Sequence, residues 1–397
     1  MKTILFVADV PFKNVAYGAA RHLHEIATGL SKKGYKIYVL TRKQGDEVLE
    51  EEQVKGVIVY RYSANKKSEL FFFLSCIMNC MHKFKQLTGK VKFDTVVLHQ
   101  PISAFVVNLA LIGKCIPKVY TFYSPAFKEY ETRIPPDVRK PSIFVKITSM
   151  ILKWIERFSL GRVQRIIVLS EFSKNQLKEI HRIQEEDKIE IIPGGVDIER
   201  FSPAKNKSHV RKVLDFPKDK FVLLTIRNLV PRMGIENLIK AMKLIKDRRD
   251  DVLLVIGGTG MLEGKLKSLT HELGLRNVVR FEGFIPEEKL PLYYQGADIF
   301  ILPTKFLEGF GLVTLEALSS GLPVLGTPVG GTNEILGKFD KNLLFKDTTP
   351  KAMAELIFEY LDHEKLNELS RRAREFVLAN YSWEKSVEKV EKLLSDF

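Results

Sequence analysis

Short apolar runs alternate with helical periodicities along the whole chain. In the first half, the runs that predict strands are Thr3–Ala8, Lys36–Thr41, Val57–Tyr62, Thr95–Leu98, Lys118–Phe122 and Arg165–Leu169. In the second half, they are Phe221–Ile226, Val252–Ile256, Val278–Phe281, Ile299–Leu302, Pro323–Gly326 and Asn342–Phe345. Strands that alternate with helices are typical of βαβ units. The pattern therefore predicts an α/β protein with two mostly parallel sheets.

One break in this regularity suggests where the chain divides. Around residues 192–208, two prolines, two glycines and the polar run AKNKSH interrupt the apolar pattern. We expect two doubly wound, Rossmann-like domains that face each other across a cleft, one over residues 1–200 and one over residues 201–381. A last amphipathic helix, within residues 382–397, can pack back on the first domain.

Net charge bears on the partners more than on the fold. The chain has 397 residues and a formal net charge of +14, which favours an anionic partner. Nucleic acid, an anionic membrane surface and a phosphorylated substrate all qualify, and so does a merely solvated lysine-rich surface. Nucleic acid ranks last, because the sequence has no helix-turn-helix, zinc or RNP-type motif.

Cysteine usage and hydropathy indicate the compartment. The three cysteines, Cys76, Cys80 and Cys115, lack CxxC spacing, which favours a reducing compartment over a disulfide framework or zinc site. The first apolar run reads as a buried strand, and no segment has the ~20 apolar residues of a membrane span. We expect a cytoplasmic protein, with peripheral binding to the inner membrane face as an addition.

Loops that follow strands are the places to look for chemistry, because parallel sheets bind ligands at the carboxyl ends of their strands. Loop 9–18 leads to Gly18, which either lets an anion approach the following helix or simply makes a turn. The loop RNLVPRMG offers Arg227 and Arg232 for phosphate contacts, although both can be surface arginines. The run GGTG, with Gly258, is expected to pack closely against a nucleotide.

A fourth loop lies in the stretch FLEGFGLVTLEA, residues 306–317. The N–H groups at the start of its predicted helix suit a diphosphate. A carboxylate repels phosphate, but it accepts hydrogen bonds from a vicinal diol. Glu308 and Glu316 could therefore hold two sugars on either side of one diphosphate. The alternatives are a salt bridge for Glu316 and an exposed loop charge for Glu308.

The segment EGFGLVTLEALSSGLPVLGTPVGG resembles the E-x7-E signature of the retaining glycosyltransferases of family 4, which have the GT-B fold. Segments 17–41, 166–177, 191–201 and 222–242 also resemble that family, in the same order. The resemblance implies transfer of a hexosyl-type sugar from a nucleoside-diphosphate donor to a glycan or lipid-linked acceptor, with retention of configuration. Cell-envelope or surface polysaccharide synthesis is the expected setting.

The resemblance also implies roles for single residues. Glu316 is expected to bind the ribose diol, Glu308 the hydroxyls of the transferred sugar, and Gly18 a phosphate from the opposite domain. The backbone is expected to face the sugar and diphosphate at Phe310, Gly311, Leu312 and Val313. In this family the leaving diphosphate deprotonates the acceptor on the same face. Neither a metal nor a cofactor is expected.

The donor loop departs from the family pattern at two positions. Asn228 stands where the family has an arginine, and Met233 where it has a lysine. Methionine cannot neutralise a phosphate. Arg227 is next to Asn228 and Arg232 is next to Met233, so the two arginines could replace the missing charges, although neighbouring side chains at a strand end point to opposite faces.

A further departure concerns the residue near the sugar. Tyr123 stands where the family often has a histidine; tyrosine donates a hydrogen bond but cannot become cationic. His99, which follows a predicted strand, is a second catalytic candidate, or else a hydrogen-bonded structural residue. These departures support an alternative function, that of a catalytically degenerate nucleotide-sugar-binding protein.

Residues 139–165 carry seven basic residues and one acidic residue among large apolar side chains. A basic, aromatic, amphipathic helix is typical of binding to a membrane surface. The apolar run Leu70–Met81 could add a second contact. Alternatively, both segments are ordinary helices that bury their apolar faces in the core.

Overall fold

The described part of the chain forms two units, each built around one sheet. The computed structural model describes residues 2–13, 18–44, 49–65, 67–132 and 143–397. Unit 1 contains the described residues up to Glu131, residues 143–194 and Trp383–Phe397; unit 2 contains Gly195–Ser382. The chain therefore divides after Gly194, slightly before the predicted boundary at residue 200.

The sheet of unit 1 has eight strands in the order β3-β4-β2-β1-β5-β6-β7-β8, and only β3 is antiparallel to its neighbour. The strands are Thr3–Ala8 (β1), Lys36–Arg42 (β2), Glu51–Val54 (β3), Val57–Tyr62 (β4), Thr95–Leu98 (β5), Lys118–Phe122 (β6), Arg165–Val168 (β7) and Ile189–Ile191 (β8). All six strands predicted in this half are confirmed to within one residue. The other two, β3 and β8, were not predicted, because β3 is a polar edge strand and β8 has only three residues.

Helices cover both faces of this sheet. They are Gly18–Lys32 (α1), Glu69–Lys90 (α2), Pro101–Ala110 (α3), Ala126–Glu131 (α4), Ile143–Leu160 (α5) and Glu171–His181 (α6). Side chains of α2 and α3 share one core cluster with Leu5 and Val7 of β1, whereas α1 packs with Ile4 and Phe6 on the opposite face. The alternation follows from the period of two along a strand.

The sheet of unit 2 has five parallel strands in the order β11-β10-β9-β12-β13. They are Phe221–Ile226 (β9), Val252–Gly257 (β10), Val279–Gly283 (β11), Ile299–Leu302 (β12) and Val324–Gly326 (β13). The strand predicted at Asn342–Phe345 is wrong. Residues Lys341–Leu343 form a 3-10 turn, and Leu344 makes only an isolated bridge. This segment is apolar because Leu343 and Phe345 fill the core.

Eight helices flank the sheet of unit 2. They are Lys207–Val213 (α7), Ile235–Lys246 (α8), Glu263–Glu272 (α9), Leu290–Gly296 (α10), Leu312–Ser319 (α11), Gly330–Phe339 (α12), Pro350–Tyr360 (α13) and His363–Asn380 (α14). The carboxyl ends of β9, β10 and β12 lead into the loops at 227–234, 257–260 and 303–311. The predicted donor residues of this unit therefore lie at one edge of one sheet.

The last helix, Trp383–Ser395 (α15), belongs to unit 1 and packs against α1. Val387 of α15 contacts the backbone of α1 at Gly29, where a Cβ atom would overlap it. The Lys2 ammonium donates hydrogen bonds to the carbonyls of Leu394 at 3.1 Å and Phe397 at 2.6 Å. None of the helices described is long and apolar enough to cross a membrane.

Candidate functional site

Two of the predicted donor loops lie directly on each other in unit 2. The backbone N–H of Arg227 donates to the carbonyl of Gly257 at 3.0 Å, and that of Leu229 donates to the carbonyl of Thr259 at 2.9 Å. Gly258 has a φ of +114°, and a Cβ atom there would overlap the carbonyl of Arg227. The structure therefore explains Gly258 by a contact within the protein, and its predicted contact with a nucleotide stays a prediction.

Arg227 and Glu308 form a buried ion pair. The guanidinium of Arg227 binds the carboxylate of Glu308, and the two side chains are only 5% and 10% exposed. The hydroxyl of Thr304 donates to the same carboxylate at 3.3 Å. The alternative that Glu308 is an exposed loop charge is therefore wrong. Each carboxylate oxygen has two lone pairs, so these contacts orient Glu308 while leaving it able to accept from further hydroxyls.

The side chain of Met233 packs against the guanidinium of Arg227. Its sulfur lies 3.2 Å from Nε and 2.8 Å from Nη2 of Arg227, and the residue is 4% exposed. Arg232 donates from Nη1 to the carbonyl of Leu307 at 2.7 Å, whereas the side chain of Asn228 is exposed. Both arginines thus reach the loop at 307–308. Their role as replacements for the missing charges stays a prediction.

The loop after β12 is fixed by the start of α12. The N–H of Gly331 donates to the carbonyl of Glu308 at 2.9 Å. Gly330 has a φ of +58°, and a Cβ atom there would overlap the same carbonyl. This close approach needs glycine. The segment PVGG, residues 328–331, therefore holds the backbone of Glu308 in place.

Helix α11 begins at Leu312, and no side chain caps it at Gly311. The hydroxyls of Thr314 and Thr332 are buried without a hydrogen-bond partner. Each lies 3.0 Å from the position of a Cβ atom on Gly311. Uncapped N–H groups at a helix start and orphan hydroxyls both require acceptors. The start of α11 is therefore suited to binding an anion. Its backbone is that of Phe310, Gly311, Leu312 and Val313.

Glu316 lies in the second turn of α11 and is 5% exposed. Tyr294 of α10 donates its hydroxyl to the carboxylate at 2.8 Å. The ring of Tyr294 packs against Phe201 and Phe300, which fixes the position of the hydroxyl. Tyr294, Thr314 and Thr332 were not predicted as members of the site. Nothing in the local pattern signals them, since each acts through a contact that only the fold brings about.

In unit 1, two histidines share one tyrosine hydroxyl. The oxygen of Tyr123 lies 2.8 Å from Nδ1 of His99 and 3.0 Å from Nδ1 of His22. A hydroxyl carries one proton, so at least one imidazole must donate its Nδ1–H to Tyr123. The Nε2 atoms of both rings are buried and lack a partner. His22 was not predicted as a member of this cluster.

Burial keeps this cluster uncharged. It lowers the pKa of His22 to about 4 and that of His99 well below its ordinary value, and the nearby His22 imidazole lowers the pKa of His99 further because the two rings would repel each other if both were protonated. Burial also raises the pKa of the Tyr123 hydroxyl well above its ordinary value. A role of Tyr123 or His99 in catalysis stays a prediction, and at neutral pH it would be that of a neutral hydrogen-bonding group.

Two further predictions concern the edge of unit 1 and metals. Gly18 begins α1 as expected, but residues 14–17 of its loop lie outside the described residues. The contact of Gly18 with a phosphate stays a prediction. Within the described ranges, no group of three or more His, Cys, Asp or Glu side chains is arranged to hold a metal ion.

Comparison with known families covers nearly the whole chain. Residues 16–200 match the model of Glycosyltransferase Family 4, and residues 206–376 match that of Glycosyl transferases group 1. The two matches adjoin near the boundary between the units. They place the Arg227–Glu308 pair and α11 in the second region.

Similar proteins agree with these matches. An uncharacterized glycosyltransferase of Methanocaldococcus jannaschii is 27% identical over 97% of this chain and 95% of its own length. The UDP-Gal:α-D-GlcNAc-diphosphoundecaprenol α-1,3-galactosyltransferase of Escherichia coli is 26% identical over 80% of this chain and 79% of its own. Sucrose-phosphate synthase of Thermosynechococcus elongatus superimposes with a TM-score of 0.85 at 21% identity, over 100% of this chain and 99% of the other. The chain belongs to the glycosyltransferases of family 4 and has their GT-B fold.

Proposed function

We propose that this glycosyltransferase moves a sugar from a nucleoside-diphosphate donor to a glycan or lipid-linked acceptor, with retention of configuration. The observation that carries the proposal is the group of acceptors and donors around the start of α11: the buried Glu308 and Glu316, and orphan hydroxyls beside an uncapped helix end. The Escherichia coli relative, whose name states a UDP-sugar donor and a polyprenyl-diphosphate-linked acceptor, supports this choice of substrates.

The diphosphate of the donor would lie at the start of α11. Its oxygens would accept from backbone N–H groups of Phe310–Val313 and from the hydroxyls of Thr314 and Thr332. Arg227 and Arg232 supply positive charge beside this position. Part of the Arg227 charge is balanced by Glu308.

The two glutamates would bind the sugars on either side of the diphosphate. Glu316 accepts from the ribose diol, and the hydrogen bond from Tyr294 orients its carboxylate for this. Glu308 accepts from hydroxyls of the transferred sugar, in the orientation set by Arg227 and Thr304. Buried, oriented carboxylates discriminate well between donor sugars, because a sugar that lacks the matching hydroxyl leaves a carboxylate without a hydrogen-bond donor.

The proposed chemistry takes place on one face of the transferred sugar. The bond from the anomeric carbon to the diphosphate oxygen breaks, and the acceptor oxygen bonds to that carbon on the same face. The proton of the acceptor hydroxyl passes to the departing diphosphate oxygen. This route requires no carboxylate nucleophile and no metal. The proposed role of Tyr123 and His99 in the reaction is that of neutral hydrogen-bonding groups. The proposed location of the reaction is the cytoplasmic side of the membrane.

The proposal is tested with a panel of UDP-, GDP- and ADP-sugars. A donor that binds the folded chain should raise its melting temperature. Glu316→Gln should abolish that rise while the unliganded melting temperature changes little. With the donor identified, proton NMR of the product should show the anomeric configuration of the donor retained. Inversion of that configuration, or unchanged donor binding by Glu316→Gln, would contradict the proposal.

A second candidate function is binding of a sugar nucleotide without turnover. It is favoured by Asn228, Met233 and Tyr123, which depart from the family pattern, and by the buried place of Met233 under Arg227. Transfer and donor hydrolysis assays separate the two functions. In an active enzyme, Glu308→Gln should lower turnover far more than donor affinity. Donor binding without either reaction would establish the second candidate.

A further inference from the structure

Helix α5 turns a stripe of large apolar side chains outward and buries several polar side chains on its inner side. The outward apolar residues are between 44% and 74% exposed; they are Ile143, Phe144, Ile147, Met150, Ile151 and Trp154. The inner side buries four polar and three apolar residues: Thr148, Ser149, Glu156 and Ser159, with Leu152, Ile155 and Leu160. A surface helix ordinarily has the opposite arrangement. The alternative prediction, that this helix buries its apolar face in the core, therefore holds for Leu152, Ile155 and Leu160 but not for the outward stripe.

Charges on α5 follow the same inverted arrangement. Its only acid, Glu156, is buried, accepts from the N–H of Ala126 at 3.2 Å and lies 3.0 Å from Nε2 of His181. Its outward basic residues are Lys146, Lys153 and Arg157. At 100° per residue, these three lie along one edge of the apolar stripe. The outer surface of α5 thus combines apolar side chains with positive charge and presents no acid.

Neighbouring helices extend this surface. Helix α3 packs against both α2 and α5, and the ring of Phe105 lies 5.7 Å from that of Trp154. The outer positions of α3 are apolar and half-buried, at Ile102, Phe105 and Leu109. On α2, side chains one helical turn apart are 47% to 68% exposed, at Phe71, Leu74 and Met78. We call these three outer stripes together the helical apolar face.

We infer that the helical apolar face binds the surface of an anionic lipid bilayer. Its apolar stripes would enter the boundary between headgroups and acyl chains, and its basic edge would meet anionic headgroups. Trp154 lies within the stripe, and tryptophan favours this interfacial depth. A second copy of the chain fits less well, because it would bring two uncompensated basic edges together on molecules of net charge +14.

Vesicle sedimentation with the full chain tests this inference. Binding to phosphatidylglycerol vesicles should exceed binding to phosphatidylcholine vesicles at least about tenfold at low salt. Lys146→Gln, Lys153→Gln and Arg157→Gln together should weaken it by about fivefold per charge. The matched control replaces Lys243, Lys267 and Lys351, exposed lysines of unit 2, by Gln. It should bind at least about tenfold more tightly than the triple variant of α5.

Substitution of exposed apolar residues by serine tests the contribution of the apolar stripe of α5. Ile147→Ser, Ile151→Ser and Trp154→Ser together should lower vesicle binding at least about tenfold. Three exposed apolar residues of unit 2 provide the control, with serine at Val213, Leu244 and Leu378. That control should bind as the unaltered chain does. Vesicle binding is measured without donor or acceptor, so its outcome is independent of the proposed reaction.

Fluorescence provides a direct readout of depth. The chain has two tryptophans, Trp154 at 57% exposure and Trp383 at 6%. Brominated lipids should quench Trp154 on binding, and Trp154→Phe should remove the quenching while retaining the binding. Absence of quenching, equal binding to neutral vesicles, or full binding by the triple serine variant of α5 would overturn the inference. The inference would also be overturned if the unaltered chain bound no vesicles but formed a dimer, and if the triple serine variant of α5 were monomeric.

Discussion

The buried pair of Arg227 and Glu308 predicts a strong energetic coupling that can be measured without substrate. The perturbations are Arg227→Met and Glu308→Gln, alone and together. Each single substitution leaves one charge buried without its counter-ion, because the two side chains are only 5% and 10% exposed. Removal of one member of a buried ion pair costs about 3 to 5 kcal/mol. Removal of both leaves no unpaired charge, so the double variant should lose clearly less than the sum.

The coupling free energy can be estimated from the geometry. Two charges about 4 Å apart interact by about 4 kcal/mol at an effective dielectric constant of about 20. Because Thr304 remains as a partner for Glu308 and Met233 for Arg227, part of this energy is retained after a single substitution. We therefore expect a coupling of about 2 to 3 kcal/mol.

Urea unfolding at neutral pH measures this coupling. Far-UV circular dichroism follows both units, whereas tryptophan fluorescence follows unit 1, which contains both Trp154 and Trp383. A loss of about 3 kcal/mol moves a midpoint by about 1 M urea. The surface pair of Arg249 and Asp251 is the control, because its side chains are 34% and 36% exposed. Its coupling should stay below about 1 kcal/mol.

Additive losses for Arg227→Met and Glu308→Gln, to within about 0.5 kcal/mol, would refute the reasoning. That result would mean that the guanidinium and the carboxylate do not stabilise each other in the free protein. A decrease of less than about 1 kcal/mol in the free energy of unfolding of both single variants would also contradict it, because a charge buried without its counter-ion destabilises by more than that.

Three further predictions concern the surroundings of the site and the histidine cluster. Gly330→Ala should destabilise by at least about 2 kcal/mol in thermal unfolding, whereas Gly337→Ala, in open space on the same helix, should not; equal effects would contradict this. Tyr294→Phe should weaken donor binding about tenfold by calorimetry, and Tyr293→Phe, which loses a hydrogen bond to Glu282 instead, should not. For His22, a pKa of about 4 in the folded state lies below the unfolded value of 6.5, so stability present above pH 6.5 is lost as the pH falls toward 4. The loss should be about 2 kcal/mol between pH 7 and pH 5, and the same pH dependence in His22→Gln would contradict it.

Strands were predictable where a buried run is long and flanked by polar residues. Six of them have the predicted bounds, among them Thr3–Ala8 and Phe221–Ile226. The segment at Asn342–Phe345 failed because apolar residues of a turn fill the core as readily as those of a strand. The edge strand Glu51–Val54 was not predictable, since its partner and not its composition makes it a strand.

For the candidate site, the sequence predicts which residues lie near one edge of the sheet, but not which contacts they make. Loops at strand ends point to Arg227 and Glu308, and the resemblance to family 4 singles out Glu308 and Glu316. Their partners cannot be predicted in this way, because Tyr294 comes from a distant helix and contacts Glu316 only in the folded chain. Periodicity likewise shows that α5 has an apolar stripe, but it cannot show which side of the helix faces outward.

The place of α15 has a consequence for biosynthesis. Val387, Val390 and Leu394 complete the core cluster that contains Ile4 and Phe6, so this hydrophobic core closes only after α15 has left the ribosome. Unit 2 needs no residue beyond Ser382 and can fold sooner. A premature stop codon a few positions before residue 383 would therefore damage the half of the protein that was translated first.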